Sequence, residues 1–144
     1  WASGAGRRLR GCLIAPVTGN YRFHIASDDF SELWLGTDAS KFTRNLIASV
    51  TGFTDFRQWT KFGSQSSTLI PLQAGQKYYI EILAKDTGGA NHLSVGWTRP
   101  GQSTVEVIPG VLPDQTVVLE SYTPDPDDLD DDNHGDLLLK PNPT

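Results

Sequence analysis

The sequence predicts an all-β domain, a sandwich or barrel, and three observations predict it. Short apolar or alternating runs recur along the chain, turn chemistry separates them, and no long segment spaces its apolar residues at the helical period. The 14 Gly and 9 Pro among 144 residues supply the turns. That length allows one domain with a real core and is too short for two.

The first strand is expected over residues 9–14, closed by Ala15-Pro16-Val17-Thr18-Gly19-Asn20. Over residues 21–27, Tyr21, Phe23 and Ile25 alternate with Arg22, His24 and Ala26, the period of a half-buried strand, which assigns His24 to an exposed face. Residues 32–35, 46–50 and 68–72 are short apolar runs. Residues 77–85 alternate most clearly, with Tyr78, Ile80, Ile82 and Ala84 on one face and Tyr79, Glu81, Leu83 and Lys85 on the other. Residues 93–98 and 104–108 flank Arg99-Pro100-Gly101-Gln102, a hairpin-like connection. A last strand is expected over the Val- and Leu-rich residues 115–122. Between residues 52 and 65, Phe53, Phe56, Trp59 and Phe62 stand at every third position. That spacing suits tight helical turns with the aromatics on one face. The favoured expectation is a lid packed over one end of the sandwich, since large aromatics bury; the other is a sugar-stacking platform.

The net charge of −5 conceals two regions. Through Tyr122 the chain has eleven Lys and Arg against ten Asp and Glu; beyond it, seven Asp face Lys140 alone. The expected organisation is a sandwich over residues 1–122 and an acidic, Pro-broken linker or tail over residues 123–144. An EF-hand loop in that tail fails in both registers. Starting at Asp128 it puts Asn133 where Gly belongs and Leu139 where Glu belongs; starting at Asp130 it ends on Pro141. No basic patch tracks a phosphate backbone, so nucleic acid is not an expected partner. No apolar run approaches the length of a membrane span. No signal peptide opens the chain, so export would require one upstream. Cys12 is the only cysteine, which excludes an internal disulfide and multi-thiolate zinc sites.

The chemistry-bearing feature is Asp28-Asp29, two adjacent carboxylates at a strand end with no Lys or Arg within five positions. Close like charges repel unless a cation sits between them, and calcium, with six to eight oxygen ligands, is the usual one. The alternative is a turn capped by Asx hydrogen bonds. His24, His92 and His134 lack metal-ligand spacing. Glycoside hydrolysis needs two carboxyl groups about 5–9.5 Å apart across the scissile bond, which adjacent residues do not provide. No nucleophile-elbow or phosphate-loop motif appears, so a noncatalytic protein is expected.

Several segments together resemble the protective-antigen (PA-fourteen) family of lectin-like domains. They are Arg8-Leu9-Arg10-Gly11, Pro16-Val17-Thr18-Gly19-Asn20-Tyr21-Arg22-Phe23, Ile25-Ala26-Ser27-Asp28-Asp29 and Ser31-Glu32-Leu33-Trp34-Leu35. Further along, Ile47-Ala48-Ser49-Val50, Trp59, Ser64-Gln65-Ser66 and Ala74-Gly75-Gln76-Lys77-Tyr78-Tyr79-Ile80-Glu81 follow in order. Lys85, Leu93-Ser94-Val95-Gly96-Trp97 and Ile108-Pro109-Gly110 complete the set, which covers roughly three quarters of the chain.

The resemblance implies an antiparallel β-sandwich of an exported, extracellular or cell-surface protein. It also implies a cis peptide between Asp28 and Asp29, calcium on both carboxylates, and Asn91 as a further ligand. A neutral Asn91 should weaken the metal relative to an acidic residue there. The implied function is a noncatalytic, calcium-dependent carbohydrate-binding or adhesion module whose partner is a glycan or cell-surface polysaccharide. Phe30, His92 and Trp59 are the candidate sugar contacts. The family carries some tens of residues, with at least one strand, before the position of Trp1, so the resemblance implies an N-terminally incomplete sandwich. Either the chain is a fragment of a longer protein or a neighbouring chain supplies the absent strand; on the second reading the alternative function is a structural subunit of an extracellular filament or cell-surface assembly that self-associates into a polymer.

Overall fold

Among the described residues nine strands form two antiparallel sheets that face each other across one core. The structure is a computed structural model that describes residues 5–86 and 92–123. The strands are β1 (Ala5–Ile14), β2 (Gly19–Asp28), β3 (Ser31–Leu35), β4 (Asn45–Val50), β5 (Ile70–Leu72), β6 (Lys77–Asp86), β7 (His92–Thr98), β8 (Glu106–Val107) and β9 (Leu119–Ser121). One sheet has the order β4-β3-β6-β1-β9 and the other β5-β2-β7-β8. The fold is the antiparallel sandwich that the sequence predicts. No described helix is long and apolar enough to cross a membrane, which says nothing of a β-barrel.

Alternation decides which face of each strand meets the core. Tyr21, Phe23 and Ile25 of β2 are fully buried against Leu33 of β3, Val50 of β4, Leu13 of β1 and Ile80 of β6. Trp97 of β7 sits at the centre, its ring 5.2 Å from Tyr21 and 6.1 Å from Phe23. Each such side chain contributes about 1.5–3 kcal/mol of hydrophobic free energy when taken from water. The Trp97 indole N–H donates to Glu106 at 3.0 Å, and Arg99 Nε donates to the same oxygen at 2.8 Å. Burial acts to raise the Glu106 pKa, but hydrogen bonds from Arg99, Gln102 and Trp97 outweigh it and hold the carboxyl below its ordinary value. This one carboxylate fastens the β7–β8 hairpin, whose register pairs Trp97 with Glu106. On β1, Cys12 lies buried between Tyr79 of β6 and Glu120 of β9. Burial first, then the Glu120 charge, raises its thiol pKa.

Three expectations are corrected. The strand expected over residues 115–122 is shorter: the chain turns at Pro113 and Asp114, whose carboxylate accepts from the Thr116 N–H at 3.0 Å, Gln115 has φ 74°, Val117 makes an isolated bridge to Val111, and Leu119–Ser121 pair with β1. The aromatic stretch is not helical. Its only 3₁₀ turn is Gly63–Gln65, and Phe53 and Phe56 are exposed rather than folded into a lid. His24 is buried rather than exposed, because that same segment crosses the outer face of β2 above it. The acidic segment, taken as residues 123–144, lies outside the described residues from Pro124 onward.

Candidate functional site

The candidate site is the end of β2. The strand runs to Asp28, and the Asp28–Asp29 peptide bond is cis; both residues are half-buried. Ser27 Oγ donates to the Asp29 carbonyl at 2.7 Å and shares a 2.7 Å hydrogen bond with Ser31 Oγ, which ties the turn to the first residue of β3. Asp28 stands between two backbones. His92, the first residue of β7, is its register partner on one side. Phe53 forms an isolated antiparallel bridge with it on the other, next to a 2.7 Å hydrogen bond from the Thr54 N–H to the Ser27 carbonyl. Asn91, the residue before His92, lies outside the described residues.

His92 closes this end from above. Its Nε2 lies 2.7 Å from the Thr54 carbonyl. A carbonyl only accepts, so this contact assigns a proton to Nε2. Nδ1 is buried and has no hydrogen-bond partner among the described residues. The Phe56 ring meets the imidazole edge-on at 5.8 Å.

Three phenylalanines surround the acid pair and face water: Phe30 is 45 % exposed, Phe53 51 % and Phe56 63 %. Each has a cation beside its ring, Lys85 at 5.7 Å from Phe30, Lys61 at 3.8 Å from Phe53 and Arg57 at 4.7 Å from Phe56. Such contacts contribute about 0.5–1 kcal/mol at exposed sites. Lys61 also donates to the Phe53 carbonyl at 2.9 Å. Phe53 and Phe56 were visible in the sequence as part of the every-third pattern. What sequence alone does not carry is the Asp28–Phe53 bridge that brings them to the acid pair.

Gln65 holds the segment bearing those rings. It is fully buried; its amide donates to the Ile25 carbonyl at 2.9 Å and the Gln58 carbonyl at 2.7 Å, and its side-chain oxygen accepts from the Phe62 N–H at 2.7 Å. Gln65→Leu should therefore destabilise the protein by about 2–3 kcal/mol in urea unfolding, because buried backbone partners lose their hydrogen bonds. A cost under about 0.5 kcal/mol would show that water replaces the amide.

Trp59 belongs to a different place. It lies on the outer face of the second sheet, its ring 6.2 Å from His24. Gly96 makes room for it: a Cβ there would lie 3.1 Å from the indole, 2.7 Å from Val105 and 2.9 Å from the Glu106 carbonyl. His24 is four residues before Asp28 on β2, a separation of roughly 13 Å at the strand rise. Phe30 and His92 are thus gathered at the acid pair, and Trp59 is not. His24 itself shares a 2.9 Å hydrogen bond with Ser66 Oγ, and burial, then the Arg22 charge, lowers its pKa.

Among the described residues no group of three His, Cys, Asp or Glu side chains converges as a metal site. The acid pair supplies two carboxylates, hard oxygen donors of the kind that calcium takes. They fit that ion as a partial donor set, which other oxygens must complete.

The GLEYA domain profile matches residues 6–99. The chain is 41% identical over 97 residues to the N-acetyl-beta-glucosaminyl-glycoprotein 4-beta-N-acetylgalactosaminyltransferase 1 of Mus musculus, a match covering 64% of this chain and 9% of that protein. It is 37% identical over 106 residues to fibrocystin of Mus musculus, covering 65% of this chain and 3% of that protein. The chain thus spans less than a tenth of the length of these curated relatives. Among solved structures, the PA14 domain of MpAFP antifreeze protein superposes with a TM-score of 0.53 at 17% identity, over 82% of this chain and 53% of that one. That likeness is one of fold.

Proposed function

The chain belongs to the GLEYA domain family, a lectin-like β-sandwich family, and from that membership we propose that it is a noncatalytic module of an exported protein that binds carbohydrate with calcium held at Asp28 and Asp29. The observation that carries the reading is the union at one strand end of two half-buried carboxylates and three exposed phenylalanine rings. Sugars present hydroxyls along their edges and apolar C–H faces between them. Calcium, when bound, offers coordination positions to vicinal hydroxyls. Phe30, Phe53 and Phe56 offer faces for the apolar side. Within a longer protein the module would hold a glycan near the chemistry or the surface that other domains provide. The likeness to an N-acetylgalactosaminyltransferase is consistent with that use.

A noncatalytic role is supported by the site itself. The two carboxyl groups are neighbours in one turn rather than partners across a bond, as both glycosidase mechanisms need. Fold alone does not fix function, so the test is direct. Glycan-array and calorimetric titration, with calcium and with chelator, should show sugar binding in the first condition and none in the second. Absence of sugar binding in both removes the proposal.

The aromatic contribution is separable from stability. Phe53→Ala should weaken glycan binding about tenfold while leaving the melting temperature nearly unchanged, since an exposed ring adds little to the fold and a stacking contact is of the order of 1 kcal/mol or more. Equal affinity for wild type and Phe53→Ala by calorimetry would place the sugar elsewhere.

A further inference from the structure

Three cations stand at the strand end that carries the acid pair, and backbone hydrogen bonds hold their segments there. The Lys85 N–H donates to the carbonyl of Phe30, the residue after the pair, at 2.9 Å. The Lys61 ammonium donates to the carbonyl of Phe53 at 2.9 Å, and Phe53 is bridged to Asp28. Arg57 sits in a turn that is fastened twice. The Gln58 N–H donates to the Asp55 carbonyl at 3.0 Å, and the Gln58 side-chain oxygen accepts from the Asp55 N–H at 2.9 Å. Arg57 has φ 53°, a conformation that few residues other than glycine adopt. Its guanidinium lies 4.7 Å from the centre of the Phe56 ring, and Phe56 meets His92, the register partner of Asp28.

Elsewhere in the sandwich cations meet carboxylates: Arg44 faces Glu81 at 3.9 Å, Lys77 pairs with Glu120 at 2.7 Å and Arg99 with Glu106 at 2.8 Å. Arg57, Lys61 and Lys85 form no ion pair with a carboxylate of the described residues, and Arg57 and Lys61 are exposed. Their neighbours are phenylalanine rings, and a cation–ring contact at the surface is weak enough to leave the charge open to a ligand. A neutral sugar stacks on the rings with no use for these charges. Calcium on Asp28 and Asp29 would offset the nearest carboxylates, with Asp55 the acid of the Arg57 turn. We propose, resting on the carbohydrate reading of this same end, that the sugar bound here is anionic, a glycan whose carboxylate or sulfate groups face Arg57, Lys61 and Lys85. The rings then take the apolar face of the sugar, and the cations beside them select its charge.

The test is a glycan array read in calcium at about 0.1 M salt, with neutral oligosaccharides printed beside their sialylated, uronate-containing and sulfated counterparts. Calorimetry then follows on the best-bound acidic glycan and its neutral counterpart. The acidic member should bind about tenfold more tightly, as two or three exposed charge pairs together would give. That gain should largely vanish at about 1 M salt, where charges act over about 3 Å. The sialylated and uronate members against the sulfated ones identify which anion is taken. Arg57→Gln with Lys61→Gln should bring the acidic and neutral affinities together while the melting temperature stays unchanged, since both side chains are exposed. Because Lys61 also holds the Phe53 carbonyl, Lys85→Gln is the second variant; it leaves that hydrogen bond in place and should lower the gain by itself. Equal affinity for acidic and neutral members overturns this proposal and leaves the carbohydrate reading standing, whereas no glycan bound in calcium removes both. A preference for the acidic member that survives all three substitutions means that calcium itself takes the anion, and it overturns the role given to the cations.

Discussion

Chelation should lower the melting temperature by about 10 °C if Asp28 and Asp29 hold calcium. An ion present at a hundred times its dissociation constant adds about 2.7 kcal/mol to the folded state, and each kcal/mol is worth several degrees in a domain of this size. Removing the ion leaves two close like charges in one half-buried turn. Asp29→Asn keeps the side chain's shape while removing one charge, and Asn supports an Asx turn as well as Asp does. Its melting temperature should respond weakly to calcium and, in chelator, stay near that of the wild type. Differential scanning calorimetry of both proteins, with calcium and with chelator, reads this directly. A wild-type melting temperature indifferent to chelator means that the pair only caps a turn, and the calcium reading is then withdrawn.

Trp97→Ala should cost about 3–5 kcal/mol in urea unfolding, the usual range for removing a large aromatic from a packed core. Against a total stability of about 5–15 kcal/mol this is a large share. The ring packs on Tyr21 and Phe23, and its N–H reaches across the hairpin to Glu106. Trp97→Phe retains most of the ring and loses the N–H, so it should cost clearly less; Glu106 still accepts from Arg99. A Trp97→Ala cost under about 1 kcal/mol would mean that the two sheets collapse into the space, contrary to the cavity behaviour of close-packed interiors.

Most of the sandwich was legible because period-two alternation reports a two-faced environment directly. β2 and β6 show it over many residues, and both form where they were read, with the expected faces inward. Short elements were less legible. Residues 115–118 have strand-forming Val residues, but Asp114 and a left-handed Gln115 turn the chain there. His24 looked exposed by alternation, since alternation says only that a side chain leaves the core. Trp59 covering it is a contact between residues far apart in sequence, made through the absent Cβ of Gly96. The acid pair was legible as two adjacent carboxylates with no nearby Lys or Arg. Phe30 and His92 were legible as its neighbours; Phe53 and Phe56 were not, because Phe53 reaches Asp28 by a single bridge that leaves no periodic trace.

Cys12 carries a consequence for where the domain keeps its shape. With one cysteine among these 144 residues, no disulfide forms within them, so their packing does not depend on an oxidising compartment. The thiol is buried and its pKa raised, so little thiolate exists to attack a disulfide or an oxidant. Burial of the thiol should slow its exchange with glutathione, and the sandwich of these residues forms without any cross-link between cysteines of its own.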